Sequence, residues 1–313
     1  MRFRRLGRTE SEVSVVGLGT FQFGGGWGKS FSKREVRNIV SAAHDCGINL
    51  LDTAECYGPD HLAESLIGQA IASSREHWIL ATKFGHVRHT SCSRDSAWDA
   101  QSVRLQLEES LRALGTDYID IYQFHSGSNQ DFDNDELWEM LRGMRKGGKI
   151  RYLGISLSRK SANWRRHQVQ QATEIGVDVI QVKLNRIERE AETEVLPECA
   201  AKELGVLARV PLASGLLSGK HQQLIAFPAE DVRSEKYGPD RIKALQAEID
   251  HIIRTELPEG ASLPEYALAW CLAHTAVSSV IPGSKTVDHV IANAAVADSA
   301  LISQIPPLDF RQG

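Results

Sequence analysis

Four residues whose side chains can move or hold a proton follow the ends of three consecutive short apolar stretches of the sequence. They are Asp52, Tyr57, Lys83 and His125. Reduction of an aldehyde or ketone needs a proton donor for the developing alkoxide, and a tyrosine phenol can give that proton when it is made more acidic. The ammonium of Lys83 would favour the phenolate, and the Asp52 carboxylate would fix the lysine in place. His125 could hold the carbonyl oxygen by a hydrogen bond. The set therefore predicts carbonyl reduction by transfer of a hydride and a proton.

The apolar stretches alternate with amphipathic segments, which predicts parallel strands joined by helices. The predicted strands are residues 15–19, 48–52, 78–82, 118–124, 152–156, 179–182, 206–210 and 278–281. The most regular predicted helices are residues 33–46, 99–114, 135–146 and 263–273. Eight such units can close into a (β/α)8 TIM barrel, although an open doubly wound sheet shares the local pattern. In a barrel the carboxyl ends of the strands meet on one face, so the four candidate residues would become neighbours.

Two regions depart from the alternation of strands and helices. Residues 3–15 predict an N-terminal β-hairpin before the first barrel strand. Residues 216–258, after the seventh strand, are longer than a simple connection and predict an extra helix at about residues 240–255. The sequence contains no internal repeat, low-complexity tract or Pro/Ser-rich linker. We therefore predict one domain that spans residues 1–313.

Charge and cysteine content exclude several classes of protein. A formal net charge of −4 without a clustered basic face gives no reason to expect a nucleic-acid or membrane partner. No segment approaches the roughly 20 apolar residues of a membrane helix, so we predict a cytoplasmic protein. The odd number of cysteines and the lack of a C-x-x-C pair predict reduced thiols and no metal centre. The cysteines are Cys46, Cys56, Cys92, Cys199 and Cys271, and Cys56 is interpreted as a small filler at the barrel mouth.

Six short motifs occur in this chain in an order and at spacings that are jointly specific. They are Gly-Leu-Gly-Thr at 17–20, Leu-Asp-Thr-Ala-Glu-Cys-Tyr-Gly at 51–58, Ala-Thr-Lys at 81–83, Asp-Tyr-Ile-Asp at 117–120, Gly-Lys-Ile-Arg at 148–151 and Ile-Pro-Gly-Ser-Lys at 281–285. With these motifs the chain resembles the aldo-keto reductase superfamily over nearly its whole length, most closely the bacterial sugar- or inositol-related reductases with a short C-terminus. The resemblance implies a catalytic tetrad of the four residues above, with Tyr57 as general acid and base. It also implies NADPH or NADP+ as cofactor and a small carbonyl or hydroxyl compound as substrate.

The same resemblance implies where the cofactor binds. Ser156 and Gln181 would hold the nicotinamide carboxamide, and residues 211–220 would hold the pyrophosphate. Residues 283–285, with His289 and Asn293, would take the adenosine 2′-phosphate and adenine. A phosphate site after strands seven and eight, near a helix N-terminus, also has unpaired backbone N–H donors and a favourable dipole. The implied contacts are Gly19, Thr20, Asp52, Ser156, Gln181, Arg209, Pro211, Leu212, Ser214, Gly215, Leu217, Gly219, Lys220, Ile281, Gly283, Ser284, Lys285, His289 and Asn293.

Several positions depart from the pattern of the superfamily. Leu157 stands where many relatives have asparagine, and Arg209 stands where an aromatic ring usually stacks on the nicotinamide. An arginine can stack on a flat ring through its guanidinium plane. His289 and Ala292 replace the usual Gln or Arg and an acidic residue, whereas Lys285 still offers a cation to a 2′-phosphate. NADPH is therefore favoured over NADH, with NADH or NAD+ as the alternative.

Two other functions are compatible with parts of the pattern. A non-catalytic subunit of the same fold could bind NADPH and regulate a partner, but it would have no need of a proton donor such as Tyr57. An aldolase could use Lys83 as a Schiff base, which would leave Tyr57 and the motif at 283–285 without a role. The substrate pocket is predicted to include Phe21, Trp27, the loop at 86–94 and residues after His125, and its polar, basic loop favours hydroxylated or anionic substrates. The oligomeric state and the physiological direction of the reaction stay open.

Overall fold

The computed structural model describes residues 1–88, 94–220, 226–228 and 231–306. Strands β1 (Phe3–Arg5) and β2 (Glu12–Ser14) pair antiparallel and form the predicted N-terminal hairpin. Its turn needs glycine at position 7, because φ is +57° there and a Cβ would lie 2.1 Å from the backbone nitrogen of Gly205. The hairpin therefore packs directly on the start of a barrel strand, at the end opposite the candidate residues.

Eight parallel strands form the central sheet, and a second hairpin lies at its rim. The strands are β3 (Leu18–Gly19), β4 (Leu50–Asp52), β5 (Ile79–Phe84), the antiparallel pair β6 (His86–Arg88) and β7 (Arg94–Ser96), then β8 (Ile119–His125), β9 (Ile150–Ser156), β10 (Val177–Lys183), β11 (Gly205–Arg209) and β12 (Ser279–Ile281). The order in the sheet is β12-β11-β10-β9-β8-β5-β4-β3. Parallel bridges from Val16 to Val280 and from Gly19 to Gly283 join the two outer strands. The sheet is thus a (β/α)8 barrel, as predicted, and not an open doubly wound sheet.

Helices surround the barrel. They are α1 (Lys33–Asp45), α2 (Leu62–Ile71), α3 (Ala100–Leu114), α4 (Asn129–Phe132), α5 (Asp135–Lys146), α6 (Ala162–Gln171), α7 (Ala191–Glu194), α8 (Leu196–Ala201), α9 (Pro239–Thr255), α10 (Leu263–Ala273), α11 (Val287–Ala295) and α12 (Leu301–Gln304). The extra helix predicted after the seventh strand is α9. At the start of α3, Asp99 lies outside the helix, because its side chain accepts a hydrogen bond from the Ser102 backbone and caps the first turn. Among the described residues, none of these helices has both the length and the apolar character needed to cross a membrane.

Two predicted strand ends were wrong in a way that matters for the site. The sequence pattern ended the third and fourth barrel strands before Lys83 and His125, whereas β5 continues to Phe84 and β8 to His125. A lysine normally argues against a fully buried strand, but Lys83 is fully buried here because it is paired with a carboxylate. The hairpin β6–β7 was also missed, since residues 86–94 were interpreted as a loop. Of that predicted pocket loop, residues 89–93, which include Cys92, lie outside the described part of the chain, as do residues 307–313.

The barrel interior has an apolar floor and a polar upper layer. The floor is a buried cluster of Leu6, Val13, Leu50, Ala81, Ile121, Val179, Leu207 and Ile281, of which the first two come from the N-terminal hairpin. Above it, towards the carboxyl ends of the strands, polar side chains such as Lys83, Gln123 and Gln181 are fully buried. Because the apolar floor offers these polar groups no hydrogen-bond partner and a buried polar group without one is costly, they must pair with one another, which fixes their orientations.

A buried glutamate fastens α2 to the strand that carries Lys83. Glu64 is fully buried and accepts hydrogen bonds from Thr82 Oγ1 at 2.6 Å and from Ser110 Oγ at 3.2 Å. The Oε2 atom that accepts from Ser110 also lies 2.5 Å from His61 Nδ1, whereas Thr82 donates to Oε1. Burial lowers the pKa of His61, but the hydrogen bond and charge of Glu64, with the charges of Glu109 and Glu55, outweigh it and raise the pKa overall. The protonated histidine is therefore stabilised by the fold.

Replacement of His61 with asparagine should destabilise the protein more at pH 6 than at pH 9. Asparagine tolerates the left-handed backbone of this position, where φ is 56°. Because the folded pKa of His61 is raised, its contribution is complete below the unfolded value near 6.5 and is lost as pH rises through the folded pKa. Urea unfolding of both proteins at the two pH values tests this. An equal loss of unfolding free energy at pH 6 and pH 9 would contradict it.

Candidate active site

The ammonium of Lys83 is the centre of the site. Its Nζ donates to Asp52 Oδ1 at 2.9 Å and Oδ2 at 3.0 Å, and it lies 3.1 Å from the Tyr57 hydroxyl. It also donates to the backbone oxygen of Thr53 at 2.5 Å. Tyr57 and Asp52 are almost completely buried beside it. Three of the four predicted catalytic residues therefore form one hydrogen-bonded group, although they come from β5, from the end of β4 and from the loop after β4.

The charges of this group are set by burial and by pairing. Burial lowers the pKa of Lys83, but the charges of Asp52 and Tyr57 and their hydrogen bonds raise it well above the usual range. The raised pKa favours the ammonium form of Lys83, whereas a Schiff-base lysine needs a lowered pKa. Burial raises the pKa of Tyr57, and the charge of Lys83 opposes that rise without cancelling it. The acidifying effect predicted for Lys83 is present but smaller than the effect of burial, so the phenol keeps its proton at neutral pH.

Asp52 is held from several sides. Its Oδ1 accepts from Gln181 Nε2 at 2.6 Å and lies 3.4 Å from Gln123 Nε2. Its backbone oxygen accepts from the Thr20 hydroxyl at 2.8 Å, and Ser156 Oγ in turn donates to Gln181 at 3.0 Å. Three residues predicted to contact the cofactor therefore converge on Asp52. Gln123 was not predicted. Its position two residues before His125 puts it on the same strand face, but that position does not by itself indicate contact with Asp52.

His125 completes the group from the end of β8. Its ring lies 6.3 Å from the Tyr57 ring, at an interplanar angle of 78°. Its Nδ1 lies 3.8 Å from Cys56 Sγ and 3.8 Å from Glu55 Oε1. The imidazole is therefore a neighbour of Tyr57 and is surrounded by side chains from the loop after β4. All four residues predicted to be catalytic lie together.

An aromatic wall stands next to Tyr57. The Phe21 ring packs edge-on at 5.0 Å from the Tyr57 ring, and Trp27 lies 5.9 Å beyond Phe21. On the other side, the His86 ring lies 5.0 Å from His125 and 5.3 Å from Trp98. Phe21, Trp27 and His86 were predicted to border the substrate pocket, whereas Trp98 was not. The rings bound the space above the phenol and the imidazole.

Arg209 and Leu157, the two departures from the superfamily pattern near the nicotinamide, contact each other. Arg209 ends β11, and its Nη2 donates to the Leu157 backbone oxygen at 2.9 Å. Burial, with the charge of Arg159, lowers the pKa of Arg209 to about 10. Its Nε is buried and has no hydrogen-bond partner within the described ranges. A buried donor without a partner suits a bound group that offers an acceptor.

The loop after β11 has a backbone suited to an anion. Ala213, Ser214 and Gly215 follow one another with φ of 47°, 59° and 95°. Three successive residues with positive φ are energetically costly when they are not glycine. The successive N–H groups of such a tight turn can form a concave anion-binding site. Arg233 secures the loop by donating from Nη1 to Ser214 O at 2.9 Å. The other predicted cofactor contacts of this loop are Pro211, Leu212, Leu217, Gly219 and Lys220, of which Leu217 is buried and Gly219 and Lys220 are exposed.

The predicted adenosine end lies at the start of α11. Asn293 Nδ2 donates to Ser284 Oγ at 3.1 Å, and the Lys285 backbone N–H points to His289 Nδ1 at 3.4 Å. Lys285 Nζ reaches the Trp27 backbone oxygen at 3.1 Å, so it also touches the aromatic wall. The remaining predicted contacts there are Ile281, which is buried, and Gly283, which bridges to Gly19. Ser156 and Gln181 at one end of the site offer hydrogen bonds to an amide, and Lys285 at the other end offers a cation to a phosphate. This arrangement fits a dinucleotide.

Comparisons with known proteins show similarity over nearly the whole chain. The model of the aldo/keto reductase family matches residues 15–305. The NADH-specific methylglyoxal reductase of Escherichia coli is 31% identical over 308 residues, which cover 93% of this chain and 91% of that protein. The holo form of aldo-keto reductase AKR11C1 from Bacillus halodurans is 29% identical with a TM-score of 0.78, and the match covers 98% and 96% of the two chains. The glycerol dehydrogenase AKR11B4 from Gluconobacter oxydans is 28% identical with a TM-score of 0.80, over 95% and 90%.

Proposed function

Since this chain belongs to the aldo/keto reductase family, we propose that it interconverts an aldehyde or ketone and its alcohol, with Tyr57 as general acid and base. The observation that carries the proposal is the Lys83 ammonium, which is shared between the Asp52 carboxylate and the Tyr57 hydroxyl. A proton donor next to a fixed cation can give up its proton and be stabilised as the anion. We expect this chemistry to take place in the cytoplasm, where thiols are reduced.

Reduction adds a hydride to the carbonyl carbon and a proton to the carbonyl oxygen. A nicotinamide cofactor held by Ser156 and Gln181 would supply the hydride. Tyr57 donates its phenolic proton to the oxygen, and Lys83, 3.1 Å from the hydroxyl, stabilises the phenolate that is left. Asp52 keeps the lysine charged and in position. His125 orients the carbonyl oxygen by a hydrogen bond, and in the reverse direction the phenolate accepts the proton of the alcohol.

The nicotinamide end of the cofactor would bind beside Asp52, and the adenosine end would bind at the start of α11. Ser156 and Gln181 would hold the carboxamide, and Arg209 would meet the nicotinamide in place of the usual aromatic ring. The loop at 211–220 would hold the pyrophosphate. Lys285 would bind the 2′-phosphate, so we propose NADPH as the preferred form and NADH as the alternative. The related methylglyoxal reductase is NADH-specific by name, which makes this preference a point to test.

Replacement of Lys285 with methionine should raise the dissociation constant of NADPH by roughly 10- to 100-fold, because a hydrogen bond to a charged group contributes about 1.5–3 kcal/mol. The dissociation constant of NADH should change by less than about twofold, since NADH lacks the 2′-phosphate. Fluorescence titration with each cofactor measures both values. Lys243, which is exposed on α9, provides the control variant Lys243→Met. Equal weakening of NADH and NADPH would remove Lys285 from the phosphate site.

For the substrate, we propose a small hydroxylated carbonyl compound or the corresponding polyol. The aromatic wall bounds the space over Tyr57, and the names of two relatives concern a small dicarbonyl compound and a small polyol. Consumption of NADPH with methylglyoxal, glyceraldehyde and larger aldehydes, and formation of NADPH from glycerol, would rank the candidates. Cofactor binding without turnover on the whole panel would overturn the proposed function.

A further inference from the structure

A carboxylate, a thiol and an imidazole meet beside the proposed catalytic residues. Glu55, Cys56 and His125 each offer an atom that can bind a metal, and these atoms lie within 4.8 Å of one another. His125 Nδ1 is 3.8 Å from Cys56 Sγ and 3.8 Å from Glu55 Oε1. Cys56 is fully buried, and Glu55 and His125 are 6% and 8% exposed. The three side chains are therefore buried, and the fold fixes their positions relative to one another.

The spacing of these atoms is close to that of a zinc site. Bond lengths of about 2.3 Å to sulfur, 2.0–2.1 Å to nitrogen and 2.0–2.2 Å to oxygen in a tetrahedron put neighbouring ligand atoms roughly 3.4–3.6 Å apart. The two separations from His125 Nδ1, 3.8 Å each, would need to shorten by a few tenths of an ångström, and all three ligand atoms lie within 4.8 Å of one another. Thiolate, imidazole and carboxylate are also the three ligand types that zinc accepts.

A second observation points to a cation at the same place. Glu55 Oε1 accepts a hydrogen bond from the His86 backbone N–H at 3.0 Å. The other oxygen, Oε2, is buried and has no hydrogen-bond partner in the part of the chain that the structure describes. A buried carboxylate oxygen without a partner is costly. A cation bound to the carboxylate would remove that cost.

We propose that Glu55, Cys56 and His125 form a binding site for Zn²⁺. The site follows from their geometry and does not depend on the proposed reaction. Because His125 also belongs to the proposed catalytic group, occupancy of the site would link the availability of zinc to the active site. The sequence could not indicate this site, since its ligands come from adjacent residues after β4 and from the distant end of β8.

Zinc titration of the full-length chain, after treatment with a chelator, tests the proposal by calorimetry. We expect one Zn²⁺ per chain with a dissociation constant in the micromolar range or tighter. Replacement of Cys56 with alanine should weaken binding by at least about tenfold, because it removes a direct ligand. Glu55→Gln, which keeps the size of the side chain, should weaken binding as well. Cys46→Ala is the matched control, since Cys46 lies at the end of α1, away from the site, and should leave binding unchanged.

Cobalt distinguishes this site from ordinary surface histidines. Co²⁺ bound to a thiolate gives a charge-transfer absorption band, which we expect in the wild type and in Cys46→Ala but not in Cys56→Ala. Circular dichroism and NADPH binding would show whether each variant is folded, and Cys56→Ser replaces Cys56→Ala if the latter is not. Absence of zinc binding, or binding that is unchanged by loss of the Cys56 thiol, would overturn the proposal.

Discussion

Replacement of Tyr57 with phenylalanine is expected to lower kcat for NADPH-dependent aldehyde reduction by roughly 10²–10⁴-fold, the range that a positioned general acid supplies. The variant keeps the ring that packs against Phe21 and loses only the hydroxyl 3.1 Å from Lys83. Lys83 keeps both of its bonds to Asp52. The dissociation constant of NADPH should therefore stay within about twofold of the wild-type value. Fluorescence titration measures the binding, and the absorbance of the reduced nicotinamide measures the rate.

A second tyrosine of the barrel provides the matched control. Tyr122 is fully buried on β8, and its hydroxyl has no hydrogen-bond partner among the described residues. Loss of that hydroxyl in Tyr122→Phe should leave kcat unchanged, because nothing is left unpaired. If Tyr57→Phe kept wild-type turnover, Tyr57 would not be the acid. Loss of NADPH binding together with turnover would assign Tyr57 a structural role instead.

The barrel and the proximity of the four candidate residues could be predicted because their signals are local. Alternation of apolar runs with amphipathic segments requires parallel strands with crossover helices, and the ends of such strands meet on one face. Asp52 and Tyr57 were placed correctly by this argument. Lys83 was predicted to follow its strand, whereas it lies inside β5. The pattern alone does not show that a lysine inside a buried strand is paired with a carboxylate from the neighbouring strand.

The contacts that complete the site could not be predicted, because each joins residues far apart in sequence. Gln123 on β8 reaches Asp52 on β4 across the intervening strand β5. Arg209, which stands where an aromatic ring was expected, donates to Leu157 O. The meeting of Glu55 and His125 depends on how the loop after β4 folds over β8. Side-chain directions at the rim are set by packing of the whole barrel, which no local pattern contains.

Replacement of Lys83 with methionine is expected to reduce both stability and turnover. It would leave the buried Asp52 carboxylate without its ion-pair partner, a change that typically costs about 3–5 kcal/mol in unfolding free energy. The hydrogen bond from Gln181 would remain at Asp52. The phenolate of Tyr57 would lose the cation beside it, so kcat should fall by at least about 10²-fold. Urea unfolding and steady-state rates measure the two effects.

The double variant Asp52→Asn/Lys83→Met separates stability from chemistry. With both charges removed, the Asp52–Lys83 pair leaves no unpaired ion behind, so the double variant should be clearly more stable than Lys83→Met alone. Its turnover should not recover, because the cation next to the Tyr57 hydroxyl is still absent. Stability losses that simply add would show that Asp52 and Lys83 do not act as a pair. Turnover that recovers with stability would show that Lys83 serves the fold and not the proton transfer.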